Sequence, residues 1–194
     1  MQGRTLGVMM SAAEARVLAE RHLDRVLPRR WMHVQGVGAR GEEVAARLGL
    51  PDDVLASAAW LHDIGYGPDL VDTGFHPLDG ARFLRRIGAD DRLARLVAHH
   101  SCAVYEARVR GLERELVDEF EAERSMTADA LVFCDLTTAP DGRRVAFADR
   151  MDEIGQRYGP DHVVTRALRL ARPDLTACCQ RTVARLEGQP GRPM

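Results

Sequence analysis

Lysine is absent from the chain, and all 27 basic residues are Arg. That removes Lys as Schiff base, nucleophile or phosphate clamp, and leaves any anion site to Arg, His, metal or backbone. Neither sign of charge prevails: 27 basic side chains face 29 acidic ones, the formal net charge is −2, and no basic run marks a polynucleotide or membrane-surface footprint. Nowhere do about 18 apolar residues follow one another, as a membrane-spanning helix requires. The first residues lack the basic stretch and long apolar stretch of a signal peptide, so a cytoplasmic location is expected. Cysteine is sparse. Cys102, Cys134, Cys178 and Cys179 form no C-x-x-C pair and no even ladder, which excludes a disulfide framework or zinc ribbon and leaves them as reduced packing residues. Strand signals are scarce as well.

What is present is a chain of 194 residues, 45% apolar and 29% charged with the two interleaved, long enough to bury a full core as one domain over 1–194. Apolar residues recur at three- and four-residue spacing between Gly and Pro punctuation, so the fold class is all-α, with eight or nine helices. Ser11 and Glu14 form a capping box that opens the first helix, which closes before Pro28. The second runs from about Arg29 to Leu48. Pro51, Asp52 and Asp53 start a third, which runs through Trp60 to His62 and Asp63 and ends near Gly65. Tyr66 to Phe75, punctuated by Gly and Pro, reads as a loop delivering His76 to the next helix start. A helix over about 90–100 ends in His99 and His100. A polar, charge-rich stretch follows, then helices over about 127–136, 149–158 and 162–186, with a frayed tail from Gly188 to Met194. The core around any site spans about 29–140, and the C-terminal helices about 145–187.

Five of the seven histidines fall between positions 33 and 100. One of them, His62, is followed directly by Asp63 on an apolar helix beside Trp60, Leu61 and Ile64. Neighbours on a helix project about 100° apart, and burying both without a cation or partners is expensive. Imidazole and carboxylate together suit borderline divalent metals, and a thiolate-free set gives no reason to expect a purely structural zinc. His22, in a charged helix, and His162, after a Gly-Pro turn, are expected at the surface.

An isolated His33, the segment "LHDIG" at 61–65 and the distant Asp135 together resemble the HD superfamily of metal-dependent phosphohydrolases, over about Met32 to Thr138. The resemblance implies a multi-helix bundle with the metal site between central helices. His33, His62, Asp63 and Asp135 would bind one ion, and Asp63 would bridge to a second. His76, and His99 or His100, match the additional ligands of the two-metal branch; spacing does not choose between the adjacent pair. It also implies hydrolysis of a phosphate ester, with iron, manganese, cobalt or nickel as cofactor, Asp63 and His62 at the catalytic centre, and water activated between ions about 3.5 to 4 Å apart. The substrate class it implies is a nucleotide or other small phosphorylated metabolite.

Arg40, two turns after His33 on the same face, is the first candidate for gripping substrate oxygens, followed by Arg82 with Arg85 and Arg86, and Arg143 with Arg144; otherwise these are solvated helix faces. Thr137 and Thr138 either support Asp135 or cap the helix through backbone carbonyls. Tyr66 and Asp69 face either substrate or solvent. The expected partners are a small phosphorylated substrate and, at most, a second copy in a homodimer, with no polymeric nucleic acid and no membrane. Two other readings stand beside the hydrolase. Some relatives with the six-ligand pattern are di-iron oxygenases that cleave a C–P or C–C bond, and a non-catalytic nucleotide- or partner-binding module is the third.

Overall fold

The structure is a computed structural model and describes residues 7–50 and 53–188. Pro51 and Asp52 lie outside these, as does the expected tail beyond Gly188. Ten α-helices are present among the described residues: α1 (Ala12–Leu23), α2 (Pro28–Leu48), α3 (Val54–Leu61), α4 (His76–Arg86), α5 (Asp91–His99), α6 (Val104–Arg110), α7 (Glu113–Glu119), α8 (Met126–Leu136), α9 (Phe147–Tyr158) and α10 (Val163–Glu187). Short 3-10 turns over Ile64–Tyr66 and His100–Cys102 follow α3 and α5. Strand pairing is limited there to isolated bridges, Val8 with Ala89 and Thr138 with Arg144. None of these helices is long and apolar enough to cross a membrane.

Local chemistry sets the boundaries. The capping box opens α1, with the Ser11 N–H donating to Glu14 at 2.8 Å and the Glu14 N–H to Ser11 Oγ at 3.3 Å. Pro28 begins α2, where its missing N–H costs nothing. The stretch after His100 departs from expectation: it folds into α6 and α7 instead of remaining irregular. Leu112, Leu116 and Phe120 recur every four residues, and Leu116 and Phe120 are fully buried, so an apolar stripe lies inside a highly charged segment.

The centre of the molecule is α3, all eight of whose residues are buried. Its small residues let α2 approach closely. A Cβ at Gly38 would strike the Trp60 ring, and one at Gly41 would lie 2.5 Å from the Ala59 methyl. α2 and α8 flank α3, α1 and α5 also pack on it, and α9 and α10 close the far side of α8. Several helix ends therefore meet around the C-terminus of α3.

Candidate metal centre

Each histidine and aspartate of the motif sits at or near a helix end. His33 lies in the second turn of α2, His62 caps α3, and Asp63 precedes the first 3-10 turn. His76 opens α4, His100 opens the second 3-10 turn, and Asp135 is in the last turn of α8. Their side chains form two groups, His33 with His62 and Asp135, and Asp63 with His76 and His100; within each, the ligand atoms all lie within 4.8 Å of one another. Five of the six are buried and His76 is nearly so.

Hydrogen bonds fix the ring orientations. Nδ1 of His62 lies 2.8 Å from the Ala59 carbonyl, Nδ1 of His100 2.7 Å from that of Val97, and Nδ1 of His33 3.2 Å from that of Ala139. A carbonyl only accepts, so each Nδ1 carries a proton, and in its neutral form each ring presents the Nε2 lone pair to the centre. His33 Nε2 lies 3.0 Å from Asp135 Oδ1, and His62 Nε2 3.3 Å from Asp63 Oδ2. The His62 atom is fully buried yet makes no aligned hydrogen bond. His76 Nε2 faces His100 Nε2 at 3.2 Å and Asp63 Oδ1 at 3.2 Å. Lone pairs and carboxylates aimed at one another in a buried space call for positive charge between them. The donors, all nitrogen and oxygen, fit borderline divalent cations.

The titration behaviour carries the same signature. Burial opposes charging His62, but the carboxylates of Asp63 and Asp135 outweigh it and raise its pKa. Burial prevails at His33, His76 and His100, whose pKa values are lowered, that of His100 to about 4 with help from the neighbouring imidazoles. For Asp63, burial is outweighed by Arg30 and His62, which hold the carboxyl well below its usual range. For Asp135, it is outweighed chiefly by the close approach of the His33 imidazole. Both carboxylates are ionised where water is excluded, the condition under which they hold a cation.

The sequence reading missed several residues of this centre. Arg30, one turn before His33, donates through Nη1 to Asp63 Oδ2 at 2.6 Å and stacks over Tyr66 at 4.1 Å. Residues three apart share a helix face, so its spacing from His33 was the available signal. Tyr66 in turn stacks on His76, with ring centroids 3.9 Å apart. Ser101 donates to Asp135 Oδ2 from a left-handed backbone, φ 49°, which Cys102 shares at φ 55°. Arg150 and Arg157 of α9 complete the wall of a cavity of about 90 Å³ over the cluster.

Other expected residues lie elsewhere. His99 is turned away from the centre, and its Nε2 meets the Phe120 carbonyl at 2.7 Å, because the helix ends between the two histidines and the kink at Ser101 and Cys102 aims only His100 inward. Arg82 is held by Glu119, Glu115 and Asp72, and Arg143 is exposed and bound to Asp141 at 2.7 Å, so neither reaches the cluster. Arg40 lies over the Phe133 ring at 4.7 Å and lines none of the cavities around the centre. Thr137 and Thr138 donate to the carbonyls of Phe133 and Cys134, the capping role. His22 is only 12% exposed, paired with Asp69 at 2.9 Å, rather than a free surface residue, whereas His162 is exposed and caps α10.

Residues 30–154 match the HD domain family model, which covers α2 to most of α9 and all six clustered side chains. The chain belongs to the HD domain family. That family consists in general of metal-dependent hydrolases whose domains bind divalent ions, consistent with the His and Asp groups described above. Neither curated proteins nor solved structures gave a match to this chain.

Proposed function

We propose that this HD domain is a phosphohydrolase acting on a nucleotide or other small phosphorylated metabolite and holding two divalent transition-metal ions. The observation that carries the reading is the placement of Asp63. Its Oδ2 faces His62 at 3.3 Å and His33 at 3.9 Å, while its Oδ1 faces His76 at 3.2 Å and His100 at 3.9 Å. One carboxylate thus addresses both groups, as a bridging ligand does. His33, His62 and Asp135 would hold one ion, and His76 and His100 the other, with iron, manganese, cobalt and nickel all suited to the donors. When bound, such ions neutralise phosphoryl charge and lower the pKa of water.

The rest is the work of the chain. Backbone carbonyls of Ala59, Val97 and Ala139 hold three imidazoles in the ligating tautomer. Arg30 keeps Asp63 ionised and fixes its plane. Ser101 spends its hydroxyl proton on the outer oxygen of Asp135 and leaves Oδ1 to the centre. The ligating side chains are buried, so charge interactions among them act at reduced dielectric.

A second reading, an oxygenase using an iron pair to cleave a C–P or C–C bond, fits the same ligand set of four imidazoles and two carboxylates. Metal analysis of anaerobically purified protein, joined to a phosphate-release screen over nucleotides and sugar phosphates, separates the two. We expect about two equivalents of metal and anaerobic phosphate release. Oxygen consumption by iron-loaded protein without anaerobic phosphate release would transfer the assignment to the oxygenase, and metal-free inactive protein would defeat both.

A further inference from the structure

Two cavities meet at the same four side chains. The inner one, about 90 Å³, contains Asp63, His76, His100 and Asp135, and a second of about 430 Å³ opens on the His33 side; Arg30, Tyr66, Arg150 and Arg157 line both. We propose that Arg30, Arg150 and Arg157 form an anion clamp between them, which selects a compact phosphomonoester with its phosphoryl group on the inner side and its organic group in the outer cavity. The inference rests on the phosphohydrolase reading for the reaction, but the clamp is a binding site in its own right.

The three guanidiniums keep donors in reserve beside the two cavities. Arg150 is 4% exposed, its Nη1 pairs with Glu153, and its Nε is buried without a hydrogen-bond partner. A buried donor left without a partner is destabilising, and an anionic oxygen satisfies it. Glu153 also pairs with Arg157, at 3.4 Å, so one acid serves two guanidiniums and a positive charge is left over. Arg30 is held flat by Tyr66 and Asp63, which leaves its remaining N–H donors oriented in advance. Planar forks of this kind match the oxygen pairs of phosphate.

Size and lining define the rest of the ligand. A space of about 90 Å³ is far below the ~300 Å³ at which ligand pockets for larger molecules begin, so it takes a phosphoryl group and not a nucleoside. The outer cavity falls in the usual range, and Val26, Leu27, Pro28 and Pro140 give it an apolar side suited to a short aliphatic or single-ring group.

The test is calorimetric titration of inorganic phosphate and of phenylphosphonate, which is not hydrolysed, into the full chain as purified and with its metal content measured. Arg150→Gln and Arg157→Ala should each weaken both anions roughly tenfold or more at unchanged metal content, with Arg150→Lys recovering part of the loss. Arg143→Ala should bind both like the wild type. Val26→Trp, at a position 55% exposed and able to accept a large ring, should weaken phenylphosphonate and spare inorganic phosphate. Wild-type affinity in both Arg150→Gln and Arg157→Ala, or a wild type that binds neither anion at millimolar concentration, overturns the clamp. Should Arg150→Gln not fold, the exposed Arg157 decides alone. Unchanged phenylphosphonate binding in Val26→Trp overturns the outer-cavity placement. Arginine-dependent binding without phosphate release would retire the hydrolase reading and leave the clamp standing.

Discussion

The centre at the end of α3 and the cavity of about 610 Å³ between α5, α8 and α10 are lined by the same kinds of residues: His, Asp, Glu, Arg and Cys in both. Their bonding is opposite. In the outer region His99 is tied to the Phe120 carbonyl, Asp129 receives Arg181 at 2.6 and 2.8 Å and Arg185 at 3.0 Å, and Glu123 receives Arg92 at 2.9 Å. In the centre the His62 Nε2 has no aligned partner, two imidazole nitrogens face each other, and two carboxylates share the space. The candidate centre is marked by ligating atoms that face one another without closing into hydrogen bonds, whereas in the second cluster most polar groups close on one another, the Nε of Arg95 excepted.

The contrast breaks most sharply at Asp63. Asp63→Ala removes the carboxylate that faces both groups and leaves Arg30 without its partner. We expect loss of metal from both positions and a fall in turnover of more than ~100-fold, beyond the effect of an outer partner, checked by metal analysis and steady-state kinetics. A variant that kept its metal would remove Asp63 from the ligand set.

The adjacent pair His99 and His100 tests the contrast within one step of sequence. His100→Ala should lower the metal count from about two to about one and cut activity. His99→Ala should leave metal content as in the wild type and cost about 1 kcal/mol in urea denaturation, the value of one hydrogen bond. The reverse pattern would exchange their roles.

In the closed cluster the expected effect is on stability alone. Burial alone would raise the pKa of Asp129, but its hydrogen bonds from Arg181 and Arg185 prevail and lower it below the ordinary 3.8. A carboxylate with a depressed folded pKa stabilises fully above its unfolded pKa, and the contribution is lost as pH falls through the folded value. Asp129→Asn should therefore cost about 1 to 2 kcal/mol at pH 7, discounted for the exposure of its partners, and the gap to wild type should narrow below about pH 4. Urea melts at pH 7 and pH 3 measure it, and a gap that does not vary with pH would mean that the charge contributes nothing.

Much of this was legible in residue order. The Ser11–Glu14 box, Pro28, and the His62–Asp63 pair on an apolar helix are signals carried by a few neighbouring residues, and the elements they imply are present. What was not legible depends on packing. His99 and His100 differ only in which lies on the far side of a helix end, and the left-handed turn at Ser101 and Cys102 uses residues that do not announce it. With 27 arginines and no lysine, sequence spacing ranked Arg40, Arg82 and Arg143 highest, whereas proximity to the centre belongs to Arg30 and to Arg150 and Arg157 of α9, brought there by a tertiary contact. The apolar stripe of Leu112, Leu116 and Phe120 was overlooked because charge dominated the segment around it.

Gly65 lies against the backbone of α4. A Cβ there would collide with the His76 carbonyl and come 2.6 Å from the Gly80 amide nitrogen. The peptide that follows Asp63 and the first turn that begins with His76 thus touch main chain to main chain, with no side chain interposed. Rotamers shift by ångströms when a core is repacked, but peptide units do not change thickness. The gap between these two residues therefore depends on a direct contact between peptide units, and any side chain at position 65 would wedge His76 away from Asp63.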